Sequence, residues 1–290
     1  MWKQLKIGVI AAAAIFVLTG CATNKQTVGQ SLVSMSTATE TVVSHTPTPT
    51  SAPTSTPTPM PTNTPTPTPT EVPNPAEGFV IAIDPGHQGK PNNEKEPNGP
   101  GSATMKAKVS AGTKGVSTGL WEYELNLTVA LYLKEELLAR GYEVIMIRET
   151  HDVDISNVER ALLANEAKVD AFVRIHADES TNASAKGVMT ICQTPKNPYN
   201  SEWYEESRRL SEAVLDGVVE ATGAKRRQIW ETDTMTGINW TTVPTTILEM
   251  GFMSNPEEDE LLATTEYQLK IVQGIANAID RFLGVERQAE

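Results

Sequence analysis

Eleven of the chain's 19 prolines lie between His45 and Pro75, most of them alternating with threonine. Proline has no amide hydrogen and clashes with a continuing helix, so this tract can join neither a helix nor the interior of a sheet. Extended, polyproline-like chain is expected, and its 31 residues would reach about 100 Å at roughly 3.1 Å per residue. Residues 22–75 hold no aromatic side chain and few large apolar ones, too little to offset the entropy of ordering. Folding is therefore left to the C-terminal part. Of the 24 Lys+Arg and 36 Asp+Glu, only Lys3, Lys6, Lys25, Glu40 and Glu71 precede Ala76, so residues 76–290 carry 21 basic and 34 acidic side chains. Those 215 residues are enough for one hydrophobic core. Their acidic balance argues against a nucleic-acid partner, which requires clustered Lys and Arg. Two cysteines, Cys21 and Cys192, exclude a disulfide framework and a thiolate metal site.

The N-terminus reads as an address. Lys3 and Lys6 precede an apolar run of 12 residues, 7–18, too short to cross about 30 Å of hydrocarbon but suited to a secretory signal. Leu18-Thr19-Gly20-Cys21 resembles the lipobox of bacterial lipoproteins, which implies cleavage before Cys21 and a diacylglycerol on its sulfur. An ordinary signal with an incidental cysteine is the alternative. The expected organisation is a signal over residues 1–20, a lipidated Cys21 with a Thr/Pro tether over 21–75, and a folded domain over 76–290. The tract is either a tether that lets the domain work away from the membrane or a plain solubilising spacer.

From residue 79 the pattern becomes that of a folded protein. Residues 79–84 (FVIAID) form a nearly continuous apolar run, as expected of a strand buried on both faces. Residues 122–140 place Leu125, Val129, Leu133 and Leu137 at helical spacing before Gly141, which suits a C-terminal cap. Residues 142–147 read as a second strand, 171–175 as a third, 187–192 as a fourth and 245–249 as a further β-rich run. Helices are expected over 156–168, with Ser156 and Glu159 as a capping box, over 202–222 and over 265–283. Alternating strands and helices predict a single α/β domain whose twisted, mostly parallel central sheet is covered by helices on both faces.

Such sheets bind ligands beyond the C-terminal ends of their strands. The first strand ends in Asp84-Pro85-Gly86-His87 and the third in His176-Ala177-Asp178-Glu179; Glu122 opens the first helix, and Glu249 stands within the apolar residues 246–252. Singly, each has a bland reading: a histidine after a strand is ordinarily a hydrogen-bonded turn residue, and a glutamate in a first helical turn complements the dipole. A carboxylate in an apolar strand end is costly unless paired or catalytic. Together, two imidazoles and one carboxylate leave a fourth position for water, the pattern of a catalytic zinc site.

The segments IDPGHQG (83–89), GLWEYELNL (119–127), VIMIRET (144–150), ERALLAN (159–165), FVRIHADES (172–180) and VPTTILEMGFMSNPEEDELL (243–262) follow the order seen in zinc-dependent N-acetylmuramoyl-L-alanine amidases. The chain resembles that family over residues 79–283. The resemblance implies that His87, Glu122 and His176 hold Zn²⁺ and that Glu249 is the catalytic acid/base. Asn126 and Leu127 stand at the family's offsets, which favours Glu122 over Glu124 as ligand. It further implies hydrolysis, by metal-activated water, of the amide between the N-acetylmuramoyl lactyl group and L-alanine in peptidoglycan. With the leader, this implies a location outside the cytoplasm, lipid-anchored to the outer face of the bacterial membrane. A non-catalytic, regulatory wall-binding lipoprotein and a zinc peptidase acting on stem peptides are the competing readings.

Two residues depart from the family pattern, which commonly has a small residue where Arg174 stands and Asn where Asp178 stands. Strand alternation puts Phe172, Arg174 and His176 on one face, so Arg174 is expected either to reach Glu249 or a substrate carboxylate, or to serve a structural ion pair. Residues 88–116 form an unusually long connection that reads as a lid, a substrate wall or a tolerated insertion. Trp240 could stack on sugar or merely pack. His151 matches no ligand position, Lys225-Arg226-Arg227 reads either as a solvated basic run or as a cluster that meets substrate carboxylates, and Cys192 as a small buried hydrophobe. The sequence names no protein activator.

Overall fold

The computed structural model describes residues 74–287. The signal segment, Cys21 and nearly all of the Thr/Pro tract therefore lie outside the described residues. In chain order the elements are β1 (Val80–Pro85), β2 (Asn92–Pro97), β3 (Met105–Val109), α1 (Glu122–Ala139), β4 (Glu143–Met146), α2 (Asn157–Ala167), β5 (Ala171–Asp178) and β6 (Val188–Cys192). They continue with a short 3₁₀ turn (Ser201–Trp203), α3 (Tyr204–Thr222), β7 (Arg226–Glu231), α4 (Thr236–Asn239), β8 (Thr245–Phe252), α5 (Pro256–Leu262) and α6 (Thr265–Leu283). Among these residues no helix is long and apolar enough to cross a membrane.

Six strands make the central sheet in the order β4-β1-β5-β8-β6-β7. β4, β1, β5 and β8 run parallel; β6 is antiparallel to β8, and β7 is parallel to β6. Strand alternation sorts the side chains to the two faces. Ile81, Ile83, Val173, Ile175, Leu248 and Met250 pack in one large core with residues of α1, α3 and α6. On the other face Ala82 and Phe172 pack with Ala164 of α2, and Ile191 and Ile247 pack with Ile238 of α4. α2 and α4 are short, so they leave part of this second face open.

The capping box of α2 forms as expected: Ser156 Oγ accepts from the Glu159 amide at 3.2 Å, and the Glu159 carboxylate accepts from the Ser156 amide at 2.8 Å. Other segments differ from the sequence reading. Residues 88–116 contain the β2–β3 hairpin, a two-stranded sheet of its own. The basic run at 225–227 leads into an edge strand, β7, whose residues alternate between exposed and half-buried. α5 went unanticipated, although Asn255 caps it by accepting from the Glu257 and Glu258 amides and Pro256 opens it.

The carboxyl end of β1 carries a buried charge cluster. Asp84 is fully buried and accepts from Arg160 Nη1 of α2 at 2.6 Å and from Arg174 Nε of β5 at 2.7 Å. Burial alone would raise its pKa, but the two guanidiniums outweigh that and hold the carboxyl far below the ordinary 3.8. A depressed folded pKa gives stability that is present above the unfolded value and lost as pH falls through the folded one. Asp84→Asn would leave two buried guanidiniums facing an amide, and is expected to cost about 3–5 kcal/mol in urea denaturation at neutral pH. A cost below about 1 kcal/mol would match a solvent-exposed pair instead.

Candidate metal centre and active site

The turn after β1 delivers His87. Its backbone is left-handed, with φ of +60°, a conformation a side-chain-bearing residue keeps only when its surroundings impose it. Two buried arginines impose it here. Arg148 donates from Nε to the Pro85 carbonyl at 2.8 Å and from Nη2 to the Gly86 carbonyl at 3.0 Å. Arg160 donates from Nη2 to the His87 carbonyl at 3.0 Å. The imidazole Nδ1 lies 3.0 Å from the Ser110 carbonyl. Because a carbonyl only accepts, Nδ1 carries the hydrogen, and the neutral ring offers the lone pair on Nε2 to the site.

Glu122 is the first residue of α1. Its Oε2 accepts from the Thr113 amide at 2.9 Å, and its Oε1 from the Ala177 amide at 3.2 Å and Asn126 Nδ2 at 3.3 Å. Burial works against its charge, but the hydrogen bonds of His176 and His87 outweigh burial and keep its pKa far below the usual carboxylate range. His176 projects from β5, on the same face as Arg174. Burial, the larger effect, lowers the pKa of its ring, which favours the neutral form that metal ligation requires. There is room for this ring only because residue 86 is glycine: a Cβ there would fall 2.2 Å from the His176 imidazole.

These three side chains meet at their tips. His87 Nε2 and His176 Nδ1 are 3.2 Å apart, and Glu122 Oε1 is 3.1 Å from each. Three donors of a tetrahedral zinc with bonds of about 2.0–2.1 Å would stand roughly 3.3 Å apart, so the triangle fits one small cation. Among the described residues this is the one group of His, Cys, Asp and Glu close enough to share a metal ion.

Glu249 is the neighbour of this triangle. On β8 it stands in register with His176 of β5 on one side and Met189 of β6 on the other. Its Oε2 is buried and has no hydrogen-bond partner. Burial first, and then the carboxylates of Glu122 and Asp178, push its pKa well above the ordinary carboxylate value. A cavity of about 350 Å³ opens beside it between α2, α4 and β3, and a second of about 310 Å³ lies toward Thr113 and Glu179. His87, His176 and Glu249 border both. These three residues thus stand where the two cavities meet, and Glu122 borders the second.

Other expected site residues are placed differently. Arg174 donates to Asp84 and, from Nη2, to Asn157 Oδ1 at 2.8 Å; it does not pair with Glu249. Trp240 donates from Nε1 to the Pro97 carbonyl at 2.9 Å, which ties α4 to the hairpin, and it borders neither cavity. The hairpin is a wall: Lys106, Ala107, Val109 and Ser110 face the larger cavity. His151 is exposed, its ring edge-on to Tyr123, and Cys192 is buried. Sequence reasoning missed Ser110, Thr113 and the Ala177 amide. The first two lie in an irregular stretch, and backbone donors leave no trace in composition.

Residues 81–281 match the family described as N-acetylmuramoyl-L-alanine amidase. The chain belongs to this family. It is 26% identical over 221 residues to the N-acetylmuramoyl-L-alanine amidase Rv3717 of Mycobacterium tuberculosis, covering 73% of this chain and 89% of that protein. It is 28% identical over 208 residues to the uncharacterized protein YqiI of Bacillus subtilis, covering 72% and 86%. The crystal structure of the N-acetylmuramyl-L-alanine amidase Ami1 from Mycobacterium smegmatis superimposes with a TM-score of 0.65 at 25% identity, over 73% of this chain and 99% of that one. The fold is the amidase fold, and the chain is a peptidoglycan amidase.

The close approach at Gly86 gives a test of the amidase site. Gly86→Ala is expected to displace the His176 ring and weaken metal affinity by about 10–100-fold without unfolding the domain. Titration with a chromogenic competitor, alongside circular dichroism, measures both. Unchanged affinity would show that His176 is not a ligand.

Proposed function

We propose that this amidase cleaves the bond between the lactyl carbonyl of N-acetylmuramic acid and L-alanine, with Zn²⁺ on His87 Nε2, His176 Nδ1 and Glu122 Oε1 and with Glu249 moving the protons. The observation that carries the proposal is the triangle of 3.1–3.2 Å edges beside a buried carboxyl oxygen with no partner. Two nitrogens and one oxygen are a donor set suited to zinc, and three protein ligands leave a position for water or substrate. When bound, the metal supplies a Lewis acid and lowers the pKa of its water toward about 7.

This chain's own residues do the rest. Ser110 fixes the tautomer of His87, and Thr113, Ala177 and Asn126 hold the Glu122 carboxylate in place. Glu249 accepts a proton at Oε2 as water attacks the lactyl carbonyl, then delivers it to the departing L-alanine nitrogen, since an amide nitrogen leaves slowly as an anion. The elevated pKa of Glu249 suits a group that must both take and return a proton near neutrality. The sequence of the leader supports a lipid on Cys21 and a location at the outer face of the membrane, with the Thr/Pro tract as tether.

Mass analysis of fragments from purified peptidoglycan tests the reading. A free lactyl carboxyl with an intact stem peptide is expected. Shortened stems would point to a peptidase, and no fragments from metal-loaded protein would point to a wall-binding role. Glu249→Gln is expected to retain metal and lose at least about 100-fold in kcat, whereas His87→Ala or His176→Ala loses both metal and turnover. Because Glu249 and the two imidazoles must be free of protons at the start, kcat/KM is expected to fall on the acid side. A profile that stays flat to below the ordinary glutamate value of 4.5 would remove Glu249 as the base.

A further inference from the structure

The charges along the groove are divided between its two arms. The arm toward Thr113 is bordered by Glu122, Asp178 and Glu179. The arm between α2, α4 and the hairpin is bordered by Arg174 and Lys106, and its carboxylate is Glu249, at the junction of the two. Three guanidiniums, Arg148, Arg160 and Arg174, each at most 3% exposed, gather at the end of β1, and of these Arg174 borders the basic arm. Asp84 is the only carboxylate within ion-pair distance of any of them among the described residues. Arg148 donates only to backbone carbonyls. Arg160, Arg174 and Lys106 against Asp84 and Glu249 leave this arm one positive charge in excess, and a low-dielectric wall strengthens the attraction for an anion.

Arg174 is built to present one corner of its guanidinium. Nε is fixed on Asp84 and Nη2 on Asn157, which leaves Nη1 without a protein partner. Gly237 makes space for it: a Cβ at that position would lie 1.6 Å from Nη1. A guanidinium held at two of its nitrogens loses little further freedom when the third binds a ligand. Lys106, exposed on the hairpin wall, has no ion-pair partner among the described residues and stands over the same arm.

We propose that Arg174, assisted by Lys106, is a specificity-determining residue that binds a carboxylate on the stem-peptide side of the scissile bond. The stem thus runs along the basic arm, and the uncharged glycan lies on the other side of the metal site. The spacing agrees. Arg174 precedes His176 by two residues on one strand, roughly 7 Å, and the second residue of an extended stem lies about two residues from the lactyl carbonyl. That residue, a γ-linked D-glutamate, carries either a free α-carboxylate or its amide, so the chemistry of the wall itself supplies the two ligands to compare. This inference rests on the amidase reading and deepens it.

The test compares kcat/KM of the zinc-loaded enzyme for two muropeptides that differ only in this α-carboxylate or α-amide. The wild-type enzyme is expected to favour the acid by at least about tenfold, mainly through KM. Lys106→Ala, on an exposed side chain that leaves the core intact, is expected to shrink the preference. Arg174→Gln, checked for folding by circular dichroism, is expected to bring the ratio of the two kcat/KM values toward one whatever absolute rate remains, and Arg174→Lys to restore part of the preference. Equal rates on both substrates in the wild type would overturn the proposal and leave the amidase reading intact. Failure to cut either substrate with zinc bound would overturn the amidase reading and this proposal with it.

Discussion

The buried carboxylate of Asp84 is the constraint on which the rest of the site depends. Its charge draws Arg160 from α2 and Arg174 from β5 to the end of β1, and so fastens three elements at one point. Arg160 reaches onward to the carbonyls of Pro85 and His87, and Arg148 grips the same turn from β4's side. Held in this way, His87 keeps its left-handed backbone, and its imidazole arrives beside His176 and Glu122. A buried ion pair is weak evidence for stability in general. Here it holds Arg160 against the carbonyls of the turn that carries His87.

The β2–β3 hairpin completes the arrangement from the outside. It gives Ser110 to His87, is pinned to α4 by the Asn239 and Trp240 side chains, and is pinned to α2 where Asn157 donates to the Lys108 carbonyl. Asn157 also accepts from Arg174, so the wall and the floor of the basic arm share a residue. A segment whose sequence left a lid, a substrate wall and a tolerated insertion open thus shapes the groove.

Much of this was legible in the sequence where local physics decides the outcome. The apolar run of β1, the four-residue apolar spacing of α1 and the capping pair Ser156/Glu159 each specify their element with little outside help. The clustering of His87, His176 and Glu122 was legible because each sits at the carboxyl end of a strand or the start of a helix, where an α/β sheet gathers its chemistry. What was not legible depends on distant partners. β2 (NNEKEP) has no apolar alternation and becomes a strand only by pairing with β3. β7 is an edge strand with three basic or polar residues at its start, so its pattern resembles a surface run. Arg174 lies 90 residues from Asp84, and no spacing rule connects the two.

The central claim is that one cation binds at the point where His87, Glu122 and His176 converge. Anomalous diffraction from crystals of the zinc-loaded domain, recorded at the zinc edge, tests it most directly. A single strong peak about 2 Å from His87 Nε2, Glu122 Oε1 and His176 Nδ1, with Glu249 facing its open side, is the predicted result. Full zinc loading with the peak elsewhere, or with any of those three side chains turned away from it, would contradict the account.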